Sequence, residues 1–320
     1  MRMKIAFLSK TDINIRYLTE GLAPHAVTSC RSRDELLRAL PEIEVLVVQN
    51  QGFPHKTVDA ECLRAAKRLR LVQHHGVAHD ATDAREAARL GIPVATIPGQ
   101  NSRSVAEHAF FLLLALARRA RASEALVRAG RMGEVECTEL EGKTLCVVGI
   151  GTIGKMLARM GKGFSMRVIG VRRNPSADDA RQTGADLVFG VDRLREALAM
   201  ADCIILSLPL NAETFDLIGA EGLRAMKPGA LLVNVSRGPH VNRPALESAL
   251  REGRLGGFAT DAWWDEPADP RDPLLQDKRV IVTPHTGGKS IEAIRRSVQA
   301  VRDNVERLAR GEALLGVVAV

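Results

Sequence analysis

Short apolar runs recur along the chain, separated by stretches in which apolar positions return every three or four residues. Lys4 to Ser9, Val45 to Gln49 and Val94 to Thr96, and Arg70 to His74 around its Leu71-Val72 pair, look like short buried strands. Helical spacing lies between them in Ser32 to Leu40 and Asp80 to Leu90, and also in the arginine-bearing stretch Leu63 to Leu71. Strands alternating with helices predict a parallel sheet with helices on its faces. The rhythm changes at Ser102. Ser104 and Glu107 have the spacing of a capping box, which predicts a helix from Val105 to about Arg121. Its apolar residues occupy nearly every face, so it is expected to be buried all round.

A second alternating series follows. Its expected strands are Thr144 to Val148, Arg167 to Val171, Cys203 to Leu206, Leu231 to Val235, Gly257 to Ala259 and Val280 to Val282. A long helix, Ser290 to Arg310, closes the chain. No repeat, low-complexity tract or Gly/Ser linker interrupts the 320 residues, so two domains joined by ordered structure are expected.

Composition narrows the picture. Aromatic residues make up 3% of the chain against 46% apolar residues overall, so the cores are aliphatic. Cys30, Cys62, Cys137, Cys146 and Cys203 show no CxxC pair and no zinc-like spacing, and read as small buried hydrophobes in a reducing, cytoplasmic compartment. The apolar start stops at Ser9-Lys10, too soon for a signal peptide. No apolar run reaches the roughly 18 residues that cross a bilayer; the longest, Ala109 to Ala117, is closed by Arg118-Arg119. The net charge of +7 comes from arginines that alternate with acids on helix faces. Without a basic block interleaved with aromatics, nucleic acid is not an expected partner, whereas a mild positive field suits small anions.

The chemistry begins at Gly149-Ile150-Gly151-Thr152-Ile153-Gly154, a GxGxxG that follows the strand ending at Val148 and opens a helix over Ile153 to Lys162. In such a turn Gly149 permits the tight bend, Gly151 lets the backbone approach a pyrophosphate, and Gly154 lets helix pack on strand. The helix start, with Thr152 and Ile153, offers free N–H groups to phosphates. The next strand ends at Arg172-Arg173-Asn174-Pro175, with no acid for a ribose 2′-hydroxyl. Arg172 stands 21 positions after Gly151. These arginines suit a 2′-phosphate, so NADP(H) is expected ahead of NAD(H), with acceptance of either as the alternative.

Three later segments read as loops at strand ends: Asn234-Val235-Ser236-Arg237-Gly238, Asp261 to Glu266-Pro267, and Thr283-Pro284-His285-Thr286-Gly287-Gly288. With the glycine motif, and in this order, they make the chain resemble the D-isomer-specific 2-hydroxyacid dehydrogenases over essentially its whole length. That is the family of glyoxylate/hydroxypyruvate reductase, D-lactate dehydrogenase, phosphoglycerate dehydrogenase and formate dehydrogenase. The resemblance implies an α/β fold of two doubly wound parallel-sheet domains. A Rossmann cofactor domain, 102–286, is inserted in a smaller flavodoxin-like substrate domain, 1–101 and 287–320.

The resemblance also implies the site. Arg237, Glu266 and His285 become the catalytic trio. Imidazole can give or take the proton at the substrate oxygen, a carboxylate on the other ring nitrogen fixes its tautomer, and a guanidinium fork receives the substrate carboxylate. Backbone amides at Val77 and Ala78, in His75-Gly76-Val77-Ala78, are implied to bind the same carboxylate, although the family usually has glycine near Ala78. Asn101 matches a substrate-facing asparagine of the formate-dehydrogenase branch, or serves only as a helix-entry residue. Asp261 is implied to bond the nicotinamide carboxamide, and Leu208, Pro209, Val235 and Gly287 to border the cofactor. His74, His75 and His79 cluster, but no metal is expected. Trp263 and Trp264 either wall a pocket or pack. The implied activity interconverts a small 2-oxo acid and its D-2-hydroxy acid, with glyoxylate or hydroxypyruvate as default, in a homodimer joined through the apolar helix. A dinucleotide-binding corepressor and a phosphite- or phosphoglycerate-oxidising relative are the alternatives.

Overall fold

The computed structural model of the chain describes residues 2–49, 53 and 56–319. It divides into two compact units, Met1–Asn101 with Lys289–Val320, and Ser102–Gly288, so the second is inserted in the first.

The first unit is built on β1 (Lys4–Leu8), β2 (Ala26–Cys30), β3 (Val45–Val48), β4 (Leu71–His74) and β5 (Val94–Ala95). All pairs are parallel, in the order β2-β1-β3-β4-β5, which is the flavodoxin-like winding. β3 and β4 are buried at every residue; β3 is an unbroken apolar run, whereas in β4 the buried Gln73 amide donates to the His74 and Ala95 carbonyls and the His74 ring meets the Thr82 hydroxyl. β2 buries only Cys30 fully; as a half-wet edge strand it has no comparable run, and the sequence reading has no strand there. Helices α1 (Asp12–Gly21), α2 (Arg33–Ala39), α3 (Ala60–Ala65) and α4 (Ala84–Arg89) connect the strands. Ser32, Asp59 and Asp83 cap the last three, each accepting the N–H three residues on.

Two helix expectations change here. The helix expected over Leu63 to Leu71 ends at Ala65, because Ala66 leaves helical geometry and Leu71 already pairs in β4. The helix expected from Asp80 starts only at Ala84, because Asp83 takes the capping position. The final helix, Ile291–Arg310, is capped by Ser290 and lays Ile294, Val298, Val301 and Val305 against Ile5, Phe7, Val45 and Leu71.

The second unit holds β6 (Thr144–Val148), β7 (Arg167–Arg172), β8 (Leu187–Gly190), β9 (Cys203–Leu206), β10 (Ala230–Asn234), β11 (Leu255–Thr260) and β12 (Val280–Val282). They run parallel in the order β8-β7-β6-β9-β10-β11-β12, a Rossmann winding with one added strand. The pleat sends Cys146 and Val148 into one core with Ile204 and Leu232, and Leu145 and Val147 into the other. The second core is closed by α5 (Ser102–Ala117), through Ala109, Leu112, Leu113 and Leu116. Full burial of each leucine contributes about 1.5–3 kcal/mol.

α5 corrects the sequence reading three times. It starts at Ser102, so Ser104 is inside the helix, and its hydroxyl donates to the Gly287 carbonyl (2.6 Å) instead of capping. It stops at Ala117, where Arg119 adopts a left-handed conformation before α6 (Ala120–Arg128). And it is not buried all round, since Arg103, Glu107 and Phe111 form an exposed stripe one turn apart. Cys137 is a further correction: it is exposed, while the other four cysteines are buried. Among the described residues no helix is long and apolar enough to cross a membrane.

Candidate active site

In the second unit the strand order reverses between β6 and β9, and a crevice at the carboxyl ends of strands on either side of such a reversal is where ligands bind in this winding. The glycine turn occupies that point. Gly149 has φ +95°, and a Cβ on it would lie 2.4 Å from the Ser207 carbonyl, so the β6 and β9 loops touch only because a side chain is missing. The Ser207 hydroxyl closes the contact by donating to the Gly149 carbonyl (2.7 Å). Gly154 would put a Cβ 2.4 Å from the same carbonyl, so it seats α7 (Thr152–Gly163) on the turn. Gly151 differs: a Cβ there would meet nothing within 4 Å. It faces open space at the start of α7. The first intrahelical bond runs from the Lys155 N–H to the Gly151 carbonyl (2.9 Å), so the N–H groups of Thr152, Ile153 and Gly154 precede the ladder. A pyrophosphate fits this arrangement: open approach, oriented donors and the positive end of the helix dipole.

Beyond β7, Arg172 donates to Asp179 (2.7 Å), whose other oxygen accepts the Ser176 N–H (2.8 Å). The Ser176 bond and the Arg172 charge hold the Asp179 carboxyl below its ordinary range, against burial. Arg173 pairs with Glu213 at 2.8 Å in an exposed ion pair. A guanidinium carries five N–H donors, so Arg172 is aimed by Asp179 without being consumed by it.

The loops after β10, β11 and β12 are bound to one another through main-chain contacts. After β10, Asn234 donates to the Arg237 carbonyl (2.7 Å) and accepts the Ser236 N–H (3.0 Å), which shapes the turn beneath Arg237. The Ser236 hydroxyl accepts the Leu208 N–H (2.9 Å) and so joins this turn to the Leu208-Pro209 loop. Gly238 lies against the Trp263 and Trp264 backbone so closely that a Cβ would come within 2.6 Å of it. Trp263 packs in the core at 6% exposure, and the Trp264 indole N–H donates to the Val241 carbonyl (2.8 Å). Glu266 accepts the Trp263 N–H (3.2 Å) and faces His285, whose Nδ1 lies 2.8 and 2.9 Å from the two carboxylate oxygens. Both side chains are more than a quarter exposed. With Nδ1–H donated to Glu266, the ring tautomer is set by the carboxylate.

His285 has φ +55°, a left-handed conformation uncommon outside glycine. Asp261 holds the backbone there. Its oxygens accept the Thr283 hydroxyl (2.6 Å), the Thr286 N–H (2.8 Å) and the Gly287 N–H (2.7 Å), which brackets His285 on both sides. Burial, the largest single influence on Asp261, raises its pKa, but the bonds from His108, Thr283, Gly287 and Thr286 together leave it below the ordinary value. His108, on α5, was not singled out in the sequence. Its Nε2 lies 2.8 Å from the Thr283 hydroxyl and 3.3 Å from Asp261.

The remaining expected residues lie in the first unit. Val77 is half exposed in the loop after β4, and the Gly76 carbonyl of that loop accepts the Ile97 N–H (3.0 Å). Asn101 is partly buried at the end of that unit. His74 is fully buried with Nε2 2.9 Å from the Thr82 hydroxyl, and burial drives its pKa down to about 3. Among the described residues no His, Cys, Asp or Glu cluster is arranged to hold a metal.

Comparison with known proteins adds to this geometry. Residues 110–287 match the family model described as the D-isomer specific 2-hydroxyacid dehydrogenase, NAD binding domain. The glyoxylate reductase of Korarchaeum cryptofilum is 37% identical over 261 residues, covering 80% of this chain and 77% of that protein. A D-3-phosphoglycerate dehydrogenase of Archaeoglobus fulgidus is 34% identical over 93% of the chain, which spans 55% of that longer protein. Among solved structures, the NADPH-dependent glyoxylate/hydroxypyruvate reductase of Sinorhizobium meliloti, in complex with NADP and malonate, superposes with a TM-score of 0.85 at 25% identity, covering 100% of this chain and 97% of that one.

Proposed function

The chain belongs to the D-isomer specific 2-hydroxyacid dehydrogenase family, and from that premise we propose that it reduces a small 2-oxo acid to its D-2-hydroxy acid with a nicotinamide dinucleotide as hydride carrier. The observation that carries the reading is the Glu266–His285 pair, 2.8 Å apart, in the unit that also holds the phosphate-ready glycine turn. The bound dinucleotide supplies the hydride. The protein's own residues supply the rest. The Arg237 guanidinium receives the substrate carboxylate and polarises the adjoining carbonyl. In the same reading the Val77 and Ala78 amides and Asn101 are further substrate-binding groups. As the carbonyl carbon accepts hydride, the oxygen takes the Nε2 proton of the His285 imidazolium, and the neutral ring stays bonded to Glu266 through Nδ1–H. Oxidation of the alcohol runs the same proton back. Leu208, Pro209, Val235, Asp261 and Gly287 border the cofactor.

NADP(H) is the favoured cofactor in this reading, and Arg172 supports it. The side chain that ends β7 is cationic, with donors left over after Asp179. Glyoxylate and hydroxypyruvate are the proposed substrates, as for the relatives so named. A homodimer and a cytoplasmic setting complete the reading. The exposed Phe111 stripe of α5 and the α6 helix, which buries none of its residues, support the first, and the unpaired cysteines support the second. Purified protein is assayed with NADPH and NADH against glyoxylate, hydroxypyruvate and phenylpyruvate, and in the oxidative direction with NADP+ and NAD+ against 3-phosphoglycerate and phosphite. Oxidation of NADPH by a 2-oxo acid is the expected result. No turnover of either cofactor in any combination refutes the proposal.

A further inference from the structure

A second imidazole–carboxylate pair, His108 and Asp261, lies in the second unit against the loop that carries His285. His108 sits in the middle of α5, one helical turn beyond Ser104, so both side chains leave the same face of the helix. Both reach the loop that carries His285. Ser104 donates to the Gly287 carbonyl (2.6 Å). His108 Nε2 lies 2.8 Å from the Thr283 hydroxyl and 3.3 Å from Asp261 Oδ1. The Thr283 hydroxyl gives its only proton to Asp261 (2.6 Å), so it can only accept from His108, which fixes the proton on Nε2. A Cβ on Gly287 would lie 2.8 Å from Asp261 Oδ2 and 3.2 Å from the His108 ring, so the loop, the carboxylate and the imidazole are in close contact.

This arrangement has a mechanical consequence. His285 is held at φ +55°, a left-handed conformation that persists in a non-glycine residue only where its surroundings enforce it. Asp261 enforces it by accepting from Thr283, Thr286 and Gly287. Asp261 is itself a buried carboxylate at the end of β11, and its orientation depends on the donors around it. His108 touches Thr283 and Asp261 together, while Ser104 from the same helix holds the Gly287 carbonyl at the far end of the loop. We propose that His108 is a positioning residue for hydride transfer: acting through Thr283 and Asp261, it holds the 283–287 loop so that His285 presents Nε2 to the substrate oxygen. The step concerned is the proton transfer of the function proposed above, on which this inference rests. Neither the substrate carboxylate nor the dinucleotide phosphates are received by this cluster. Loss of His108 therefore affects kcat and leaves KM for the 2-oxo acid nearly unchanged.

Two variants separate donation from packing. His108→Leu keeps the volume and removes the donor. His108→Gln keeps an N–H that reaches the same oxygens. The first is expected to lower kcat about 10- to 100-fold, as a small misplacement of a reacting group does, and the second to restore it to within about threefold of wild type. Side-chain ¹⁵N NMR of histidine-labelled protein is the activity-independent readout. The His285 signal, assigned by loss in His285→Ala, shifts in His108→Leu and stays in place in His108→Gln. Equal impairment of both variants, or an unmoved His285 signal in His108→Leu, overturns the positioning role. If the wild type turns over no 2-oxo acid, the functional reading falls, and the NMR comparison still decides whether His108 orients His285.

Discussion

Gly151 and Gly154 stand three residues apart in one motif, and the structure predicts opposite outcomes for the same substitution. Gly151→Ala adds a methyl that meets no protein atom within 4 Å, at φ −81°, where alanine is unstrained. Reduced entropy of the unfolded chain favours alanine by about 0.4–1 kcal/mol, and its poorer helix capping takes back a similar amount. The melting temperature should therefore stay within about 3 °C of wild type. In the proposed reading this open space is where the phosphates approach the Thr152, Ile153 and Gly154 amides. Losing one charge-assisted hydrogen bond there costs about 1.5–3 kcal/mol, which raises Kd for the dinucleotide about 10- to 150-fold. Gly154→Ala instead drives a methyl to 2.4 Å from the Gly149 carbonyl and 3.2 Å from Val147 Cγ1. Backbone cannot yield as a flexible side chain does, so destabilisation of about 1–3 kcal/mol accompanies the loss of binding. Calorimetric melting of the apoprotein and titration of nucleotide fluorescence measure the two effects separately. Wild-type affinity in Gly151→Ala would show that no phosphate approaches that residue, and an equal loss of stability in both variants would refute the packing argument.

Three further outcomes follow from the same coordinates. His285→Ala should lower kcat about 10²–10⁴-fold with little change in dinucleotide Kd; steady-state kinetics with an unchanged kcat would remove His285 from the mechanism. Arg172→Ala with Arg173→Ala should raise KM for NADPH about 10- to 100-fold, the worth of a charge-assisted pair, and KM for NADH far less; equal changes would refute a 2′-phosphate role. Burial lowers the His74 pKa from 6.5 to about 3, so below pH 6.5 the unfolded chain takes up a proton that the folded chain refuses. The stability this group contributes is complete above pH 6.5 and falls as the pH drops, by about 2 kcal/mol at pH 5. Urea unfolding at pH 7 and pH 5 should show a smaller loss for His74→Gln, and an identical loss in both proteins would refute the assignment.

How far the sequence discloses this molecule depends on what each segment touches. Strands covered on both faces favour apolar residues, and Thr144–Val148 and Cys203–Leu206, buried throughout, form at the bounds their apolar runs predict. β2 lies at a sheet edge, buries only Cys30 fully, carries no such run and passes unnoticed, whereas β8, also at an edge, does carry Leu187-Val188-Phe189, a run only three residues long. Short helices are hidden for the same reason: α1 fully buries only Asn14 and Leu18. The start of α5 is misread because Ser104 and Glu107 have the spacing of a local cap, whereas the serine is used by a carbonyl 183 residues away. A local rule cannot weigh a partner that only the folded chain supplies.

The site divides along the same line. Glycine turns and loop-end acids, bases and guanidinia leave short signatures, because the backbone conformation and the chemistry restrict residue type at fixed spacing. That is why Gly149, Gly151 and Gly154 can be picked out from one motif and its context, while Arg237, Glu266 and His285 are singled out only by the resemblance that their segments carry jointly and in order. What holds those motifs together leaves no such mark. Gly238 against the Trp263-Trp264 backbone, Ser236 under Leu208, and Asp261 bracketing His285 are contacts between separate loops, most of them to main-chain atoms that any sequence would offer. His108 is the extreme case, a polar residue within an apolar helix whose nearest partner, Thr283, is 175 positions away. Read alone it is a histidine on a packing helix. Only the fold shows that its one donated proton ends at the loop whose strained residue is the proposed acid, so the positioning of the proton-transfer group is the part of the mechanism that the sequence does not show.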